Sequence, residues 1–503
     1  MADDILGFEF PDAEFVFALV SPVGTDTGSI QIALENGLKR FGYKVNTIRI
    51  SDFLKRFNLS IDLPDDPQYD RVRSRMDAGN EACKQAGRND FLALVAVSEI
   101  NKARSLDTTT KLPTPRTKTA HILSTLKRPE EVVALRRIYG AGFLLIGVFA
   151  TEEERFNYLT NDLNIPANQA QELITRDTGE SDPHGQSTRD TFHLADVFVR
   201  LKGDTYKKQL WRFLDLLFGN AFETPTRDEH AMFLAYSAAL RSADLSRQVG
   251  ATVLSKDCEV IGLGCNDVPR SGGGLYWPGK DDYRDYARGF DTNESRRDEF
   301  IVDVMTRLRP DIPSEERLQK GKELLLDSPM LDITEFGRAV HAEMDSIITC
   351  TRSGMSPRGG TLYCTTFPCH NCTKHIIAAG ISRVVYIEPY PKSRAEDLHS
   401  DAIRLEEHGE ESGKGHPRVN YQPFVGVGPR RYADLFSLVL NSGKRIIRKE
   451  SGKKKNWERT NAMPRVPMLP NSYLQRELIA IGKIEATMKK LGEEEKQHGN
   501  EQR

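Results

Sequence analysis

Apolar and polar residues are grouped along the chain in the pattern of an α/β protein. Residues 15–20 (FVFALV) and 143–149 (FLLIGVF) are unbroken apolar runs, as expected of strands covered on both faces. Residues 44–50, 92–97 and 121–126 read as further strands, alternating with helical stretches at 78–87 and 129–139. That alternation predicts a doubly wound parallel sheet. A helix at 206–218 closes the block, and the Thr- and acid-rich stretch 223–229 opens another. There an alanine-rich helix (230–243), a hairpin (250–255 with 259–265), a helix over 336–348, a strand (360–366), a helix opening at Pro368 and a strand (383–388) follow in turn. An amphipathic helix at 474–491 ends the pattern, and the last residues are expected to be disordered.

The chain has 503 residues, enough for two to four domains, with segments expected at 1–222, 223–445 and 446–503. Seven cysteines, an odd number, and no charged-then-apolar leader after Met1 point to a reducing cytosol. The most apolar run, 143–150, is too short to cross a bilayer. A formal net charge of -2 gives no global electrostatic case for nucleic acid. Locally, residues 443–459 carry eight Lys or Arg against two Glu, which reads either as an RNA-binding patch or as a flexible basic tail.

The densest chemistry lies in His341-Ala-Glu343 and Pro368-Cys369-His-Asn-Cys372. One histidine and two cysteines supply three zinc ligands and leave the fourth tetrahedral position open, the mark of a catalytic site. A structural ribbon would need a second C-x-x-C or a distant histidine pair, and the sequence has neither. Cys369 and Cys372 open a helix whose dipole favours thiolates, and Glu343 remains available to carry protons. Cys83, Cys258, Cys265, Cys350 and Cys364 lack ligand spacing and read as packed thiols. The arrangement is similar to the H-x-E…P-C-x-x-C signature of zinc-dependent nucleobase deaminases.

Between the first strand and the helix after it lies a glycine loop, Gly24, Thr25, Asp26, Thr27, Gly28 and Ser29. It reads either as a phosphate-binding loop or as a tight turn, and it lacks the lysine and the spacing of a Walker A motif. Ser124-Thr-Leu-Lys-Arg-Pro-Glu-Glu, residues 135–140 and 143–148, Arg176-Asp177 and residues 185–196 resemble the later elements of P-loop nucleotide kinases. The resemblance implies a kinase-like fold, and the missing lysine argues against phosphoryl transfer.

The element order after residue 226 is that of the cytidine deaminase fold, and 226–440 resembles deoxycytidylate deaminases. Arg247 and Asn266 lie in segments similar to those that bind sugar and base in that family, although Asn266 also reads as a plain turn residue. The family often has asparagine two residues after the glutamate, where this chain has Asp345. The clusters with Lys392 and Arg394, and with Arg430 and Arg431, offer cations for phosphates or belong to a solvated face. The long excursion between Asn266 and His341 is either a lid or a solvated insertion. The two-part layout resembles bacterial antiphage deaminases that convert dCTP and dCMP to dUTP and dUMP. That resemblance implies Zn2+, an RNA antitoxin as repressor and homo-oligomers, often hexamers. Two rival readings are an RNA or single-stranded DNA cytosine deaminase and a nucleotide-sensing regulatory protein; the lack of an extended basic stripe argues against the first and the intact Glu343 against the second.

Overall fold

The computed structural model describes residues 12–108, 113–178, 184–326, 328–332, 336–390, 392–406, 417–440, 445–466 and 470–498, so the expectation for the last residues lies outside what is described. The chain divides into two compact units, one running to Glu229 and resuming at Val425, the other running from His230 to Glu406 and ending at Phe424.

The first unit is built on β1 (Phe15–Val20), β2 (Lys44–Arg49), β3 (Thr119–Ser124), β4 (Phe143–Phe149) and β5 (Val197–Arg200). They are ordered β5-β4-β1-β3-β2 and all parallel. Every residue of β1, β3 and β4 is buried, which explains their lack of polar alternation. Connections run through α1 (Thr27–Lys39), α2 (Gln68–Ala86), α3 (Phe91–Lys102), α4 (Pro129–Tyr139), α5 (Glu152–Asn157), α6 (Ala167–Thr178), α7 (Thr188–Phe192) and α8 (Thr205–Leu217).

Two expectations are corrected here. The strand expected at 92–97 is α3: the run Leu-Ala-Leu-Val-Ala-Val is buried throughout, and a helix enclosed on all sides has the same unbroken apolar pattern as a buried strand. Residues 425–440 join this first unit, where Gly426–Val427 extends the sheet as an antiparallel strand on β5 and Leu435 enters its core. Within 445–466 the basic segment forms a short hairpin, Lys449–Glu450 with Lys453–Lys454, and is strapped to the end of α8. Arg459 binds Asp215 at 2.6 Å, Arg448 donates to Ala221 O at 2.7 Å and Arg465 to Leu216 O at 2.9 Å. The C-terminal helix, Pro470–His498, starts four residues earlier than its sequence pattern suggests.

The second unit begins within α9 (Arg227–Ala239) and holds β6 (Gly250–Leu254), β7 (Val260–Cys265), α10 (Asp285–Arg288), α11 (Thr292–Leu308), α12 (Arg317–Leu324), α13 (Ala342–Arg352), β8 (Thr361–Thr366), α14 (His370–Ala378), β9 (Arg383–Glu388), β10 (Ile403–Leu405) and β11 (Val419–Pro423). The strand order is β10-β11-β9-β8-β6-β7. β6 is antiparallel to β7 and β8, and the remaining pairs are parallel. Helix α13 lies directly on β7 because glycines face it: a Cβ on Gly264 would stand 2.4 Å from Ala342 O and Ser346 N, and one on Gly262 2.4 Å from Ser346 O. Among the described residues no helix is long and apolar enough to cross a membrane.

Candidate metal centre and substrate cavity

The helix expected from residue 336 starts instead at Ala342, with His341 as its N-cap residue. The preceding backbone donors are taken elsewhere: Phe336 N donates to Asn293 Oδ1 at 3.2 Å and Val340 N to Asp267 O at 3.1 Å, in an isolated bridge. His341 makes no side-chain capping bond, so its ring is free to turn toward the sulfurs, and Glu343 follows in the first turn. From β8 the chain runs through Phe367, whose N–H donates to Glu388 O at 2.7 Å, to Cys369 at the N-cap of α14. Cys369 Sγ accepts from Cys372 N at 3.4 Å, and His341 Nδ1 lies 3.3 Å from both sulfurs.

All three donor atoms lie within 4.8 Å of one another. A tetrahedral ion with bonds of about 2.0–2.3 Å holds its donors about 3.5 Å apart, so the cluster fits zinc with shifts of tenths of an ångström. Protonation points the same way. The Cys369 thiol is pulled down to about 4, first by its hydrogen bond with Cys372 and then by His341. His341 is pushed up to about 9, chiefly by its hydrogen bond to Cys369. Cys372 is held well above the ordinary thiol range by that same contact with Cys369 and by burial. A divalent cation at this position would take both sulfurs as thiolates and the imidazole in its neutral form. Glu343 is buried, and burial pushes its carboxyl above the usual range.

A cavity of about 250 Å³ opens on His341, Glu343 and Cys369, and Arg247, Asn266 and Lys392 share its lining. Arg394 points elsewhere, pairing with Asp397 at 3.1 Å on an exposed helix start. Arg247 donates to Glu388 at 2.6 Å and to Thr366 Oγ1 at 3.1 Å. The amide of Asn266 is occupied by backbone, donating to Arg247 O and accepting from Val249 N, each at 2.7 Å, so it holds the Arg247 segment in place. Asp345 turns toward β7 and accepts from Cys265 N at 3.3 Å. Arg431 is bound to Asp196 at 3.1 Å and to Phe143 O at 2.8 Å within the first unit. Sequence reasoning missed Asp285, Asp291, Asn293 and Arg338, cavity residues from the excursion between Asn266 and His341. The only sequence signal for any of them is that Arg338 stands three residues before His341.

The glycine loop of the first unit has its donors engaged by acids. Asp26 caps α1, accepting from Ser29 N at 3.1 Å and from the Ser29 hydroxyl. Val23 N donates to Asp177 at 2.7 Å, and Lys127 Nζ reaches both Asp177, at 2.9 Å, and Ser21 O, at 3.0 Å. Thr25 donates its hydroxyl to Pro22 O, Thr27 N donates to Thr25 O, and Gly28 lies beside the Asp26 carboxylate. Gly24 is required at φ +82°, where a Cβ would stand 2.8 Å from Arg155 O.

Residues 225–388 match the family described as cytidine and deoxycytidylate deaminase zinc-binding region. The deoxycytidylate deaminase of Mycobacterium phage D29 is 30% identical over 162 residues, 32% of this chain and 94% of that protein. ComE operon protein 2 of Bacillus subtilis is 45% identical over 53 residues, 10% of this chain, and the match spans only 28% of that relative's length. A solved structure of the dCMP deaminase from cyanophage S-TIM5, in complex with dCMP and dUMP, aligns at 17% identity over 40% of this chain and 99% of its own, with a TM-score of 0.23.

Proposed function

This chain belongs to the cytidine and deoxycytidylate deaminase family, and from that premise we propose that it hydrolyses the exocyclic amino group of deoxycytidine nucleotides, converting dCMP and dCTP to dUMP and dUTP with release of ammonia. The observation that carries this reading is the opening of one cavity onto His341 and Cys369, two of the three clustered donors, and onto the buried Glu343. Zinc held by these three residues would supply the acidity that makes water nucleophilic near neutral pH. Glu343 takes a proton from the attacking water, delivers it to the ring nitrogen of cytosine, and carries a second proton to the departing ammonia. Its raised pKa suits both directions of transfer. In this reading Arg247 and Lys392, both on the cavity lining, bind the nucleotide sugar or phosphate, with Asn266 positioning the Arg247 segment. Arg394, on its exposed helix start, is left as a second-rank phosphate candidate.

The catalytic part lies within the second unit, which begins at His230 and ends at Phe424. Residues 1–222 form a kinase-like module that regulates or assembles the enzyme without transferring phosphate, since the glycine loop supplies Ser29 and carboxylates where a transferase needs a lysine. Residues 446–503 complete the chain as a basic segment and terminal helix. The resemblance to antiphage deaminases extends the proposal to depletion of dCTP in the bacterial cytoplasm during infection, by a homo-oligomer such as a hexamer under repression by an antitoxin RNA.

The test incubates zinc-loaded protein separately with dCMP, dCTP, deoxycytidine, and cytosine-containing RNA and single-stranded DNA, and measures ammonia. Turnover is expected for the mononucleotides, and faster release from a polynucleotide would replace this reading. Radiolabelled ATP added with dCMP should yield no labelled dCDP, and efficient transfer would refute the inactive-kinase assignment.

A further inference from the structure

The excursion between Asn266 and His341 is tied to its own base. Asp267 and Val340, at its two ends, pair as an antiparallel bridge. Arg284 is buried and reaches back to Asp267 at 3.3 Å while gripping Asp282 at 2.6 Å, and Tyr286 donates to the same Asp282 carboxylate at 2.6 Å. The neighbouring residue, Asp285, then accepts from Arg338 at 2.7 Å, and Tyr283 O accepts from the same Nη1 at 3.0 Å. Phe336, two residues before Arg338, stacks on Phe300 of α11 with ring centroids 5.2 Å apart. Arg338 is thus fixed from both sides at the cavity wall, half-buried, and among the described residues its hydrogen bonds engage Nη1 alone.

We propose that Arg338 is a specificity-determining residue that binds the 5′-phosphate of the substrate, exchanging part of its contact with Asp285 for a charge-assisted contact with the phosphate. The assignment rests on the deaminase reading and adds to it the group by which nucleotide is told from nucleoside. Three arguments support it. A guanidinium offers paired N–H donors that match phosphate oxygens, and Nε and Nη2 remain for that use. Three residues of chain separate Arg338 from His341, a reach of at most about 10 Å, on the order of the length from the amino group of cytosine to the phosphate of its nucleotide. The other arginine of the cavity, Arg247, is already bound to both Glu388 of β9 and Thr366 of β8. An arginine held in advance by Asp285 and Tyr283 O loses little side-chain entropy when the ligand arrives.

The experiment compares wild type with Arg338→Ala and Arg338→Lys, measuring kcat and KM for dCMP, with deoxycytidine as substrate or as competitive inhibitor. Loss of a charge-assisted hydrogen bond should raise KM for dCMP at least about tenfold in Arg338→Ala. With kcat held within about twofold and deoxycytidine affinity unchanged, uniform binding rather than chemistry has been removed. Arg338→Lys, which keeps the charge and loses the fork, should fall between. If Arg338→Ala does not fold, as judged by circular dichroism, Arg338→Gln takes its place, since it keeps a donor for Asp285 without the charge. A wild-type protein that releases no ammonia from dCMP defeats the deaminase reading and this one with it. Wild-type turnover combined with equal losses for dCMP and deoxycytidine, or with a fall in kcat at unchanged KM, overturns the role of Arg338 alone.

Discussion

Glu343 sits at the start of α13 with its carboxyl enclosed, and burial, joined by the charge of Cys369, raises its proton affinity. A buried carboxyl is costly to maintain unless it works, and here it borders the same cavity as His341 and Cys369. Glu343→Ala is expected to keep the fold and bind one equivalent of zinc, by elemental analysis, while ammonia release falls by about 10²–10⁴. Ordinary turnover in the zinc-loaded variant would remove Glu343 from the chemistry. This part of the site was legible in the sequence because its members are local: His341 and Glu343 share one turn, and Cys369 and Cys372 share another.

At the scale of elements, the site depends on how closely α13 approaches β7. Gly262 and Gly264 face that helix, and the gap at each is too small for a methyl group. Gly264→Ala would force Ala342 and Ser346 away, moving the turn that carries His341 and Glu343. Overpacking of this kind costs about 1–3 kcal/mol. The expected result is a lower unfolding midpoint together with loss of ammonia release. An alanine variant with wild-type activity and stability would show that the helix can shift without disturbing the donors.

At the scale of the molecule, the first unit is closed by a buried charge network that joins distant parts of the chain. Arg104, just beyond the end of α3, binds Glu14 at 2.6 Å and Glu477 of the C-terminal helix at 2.7 Å. His121 and Tyr473 also bond to Glu14, each at 2.7 Å. Removing one member of such a network leaves buried charge uncompensated, so Arg104→Met should cost about 3–5 kcal/mol and speed hydrogen exchange in α3 and the C-terminal helix. Burial raises the Glu14 carboxyl, but the His121 hydrogen bond and the Arg104 charge outweigh it and hold the group below its usual range. A depressed carboxylate contributes stability that is complete above the ordinary value of 4.5 and is lost as pH falls through the lower folded value. Urea midpoints of the wild type should therefore drop below about pH 4.5, and Glu14→Gln should show a smaller drop over that window. An identical acid response in both proteins would discount Glu14.

By itself the sequence determined the parallel strands β1 and β4, the order of elements around the deaminase motif, and the grouping of His341, Cys369 and Cys372, because runs and short spacings encode burial and local convergence. It could not separate the buried helix α3 from a strand, since a segment enclosed on every side loses the periodicity that distinguishes them. Only tertiary structure decided that Gly426–Val427 completes the first sheet, that Asn266 holds backbone, and that Arg338 lines the cavity. Each of those depends on partners far away in the chain, and a pairing at long sequence separation leaves no mark on the local pattern of either partner.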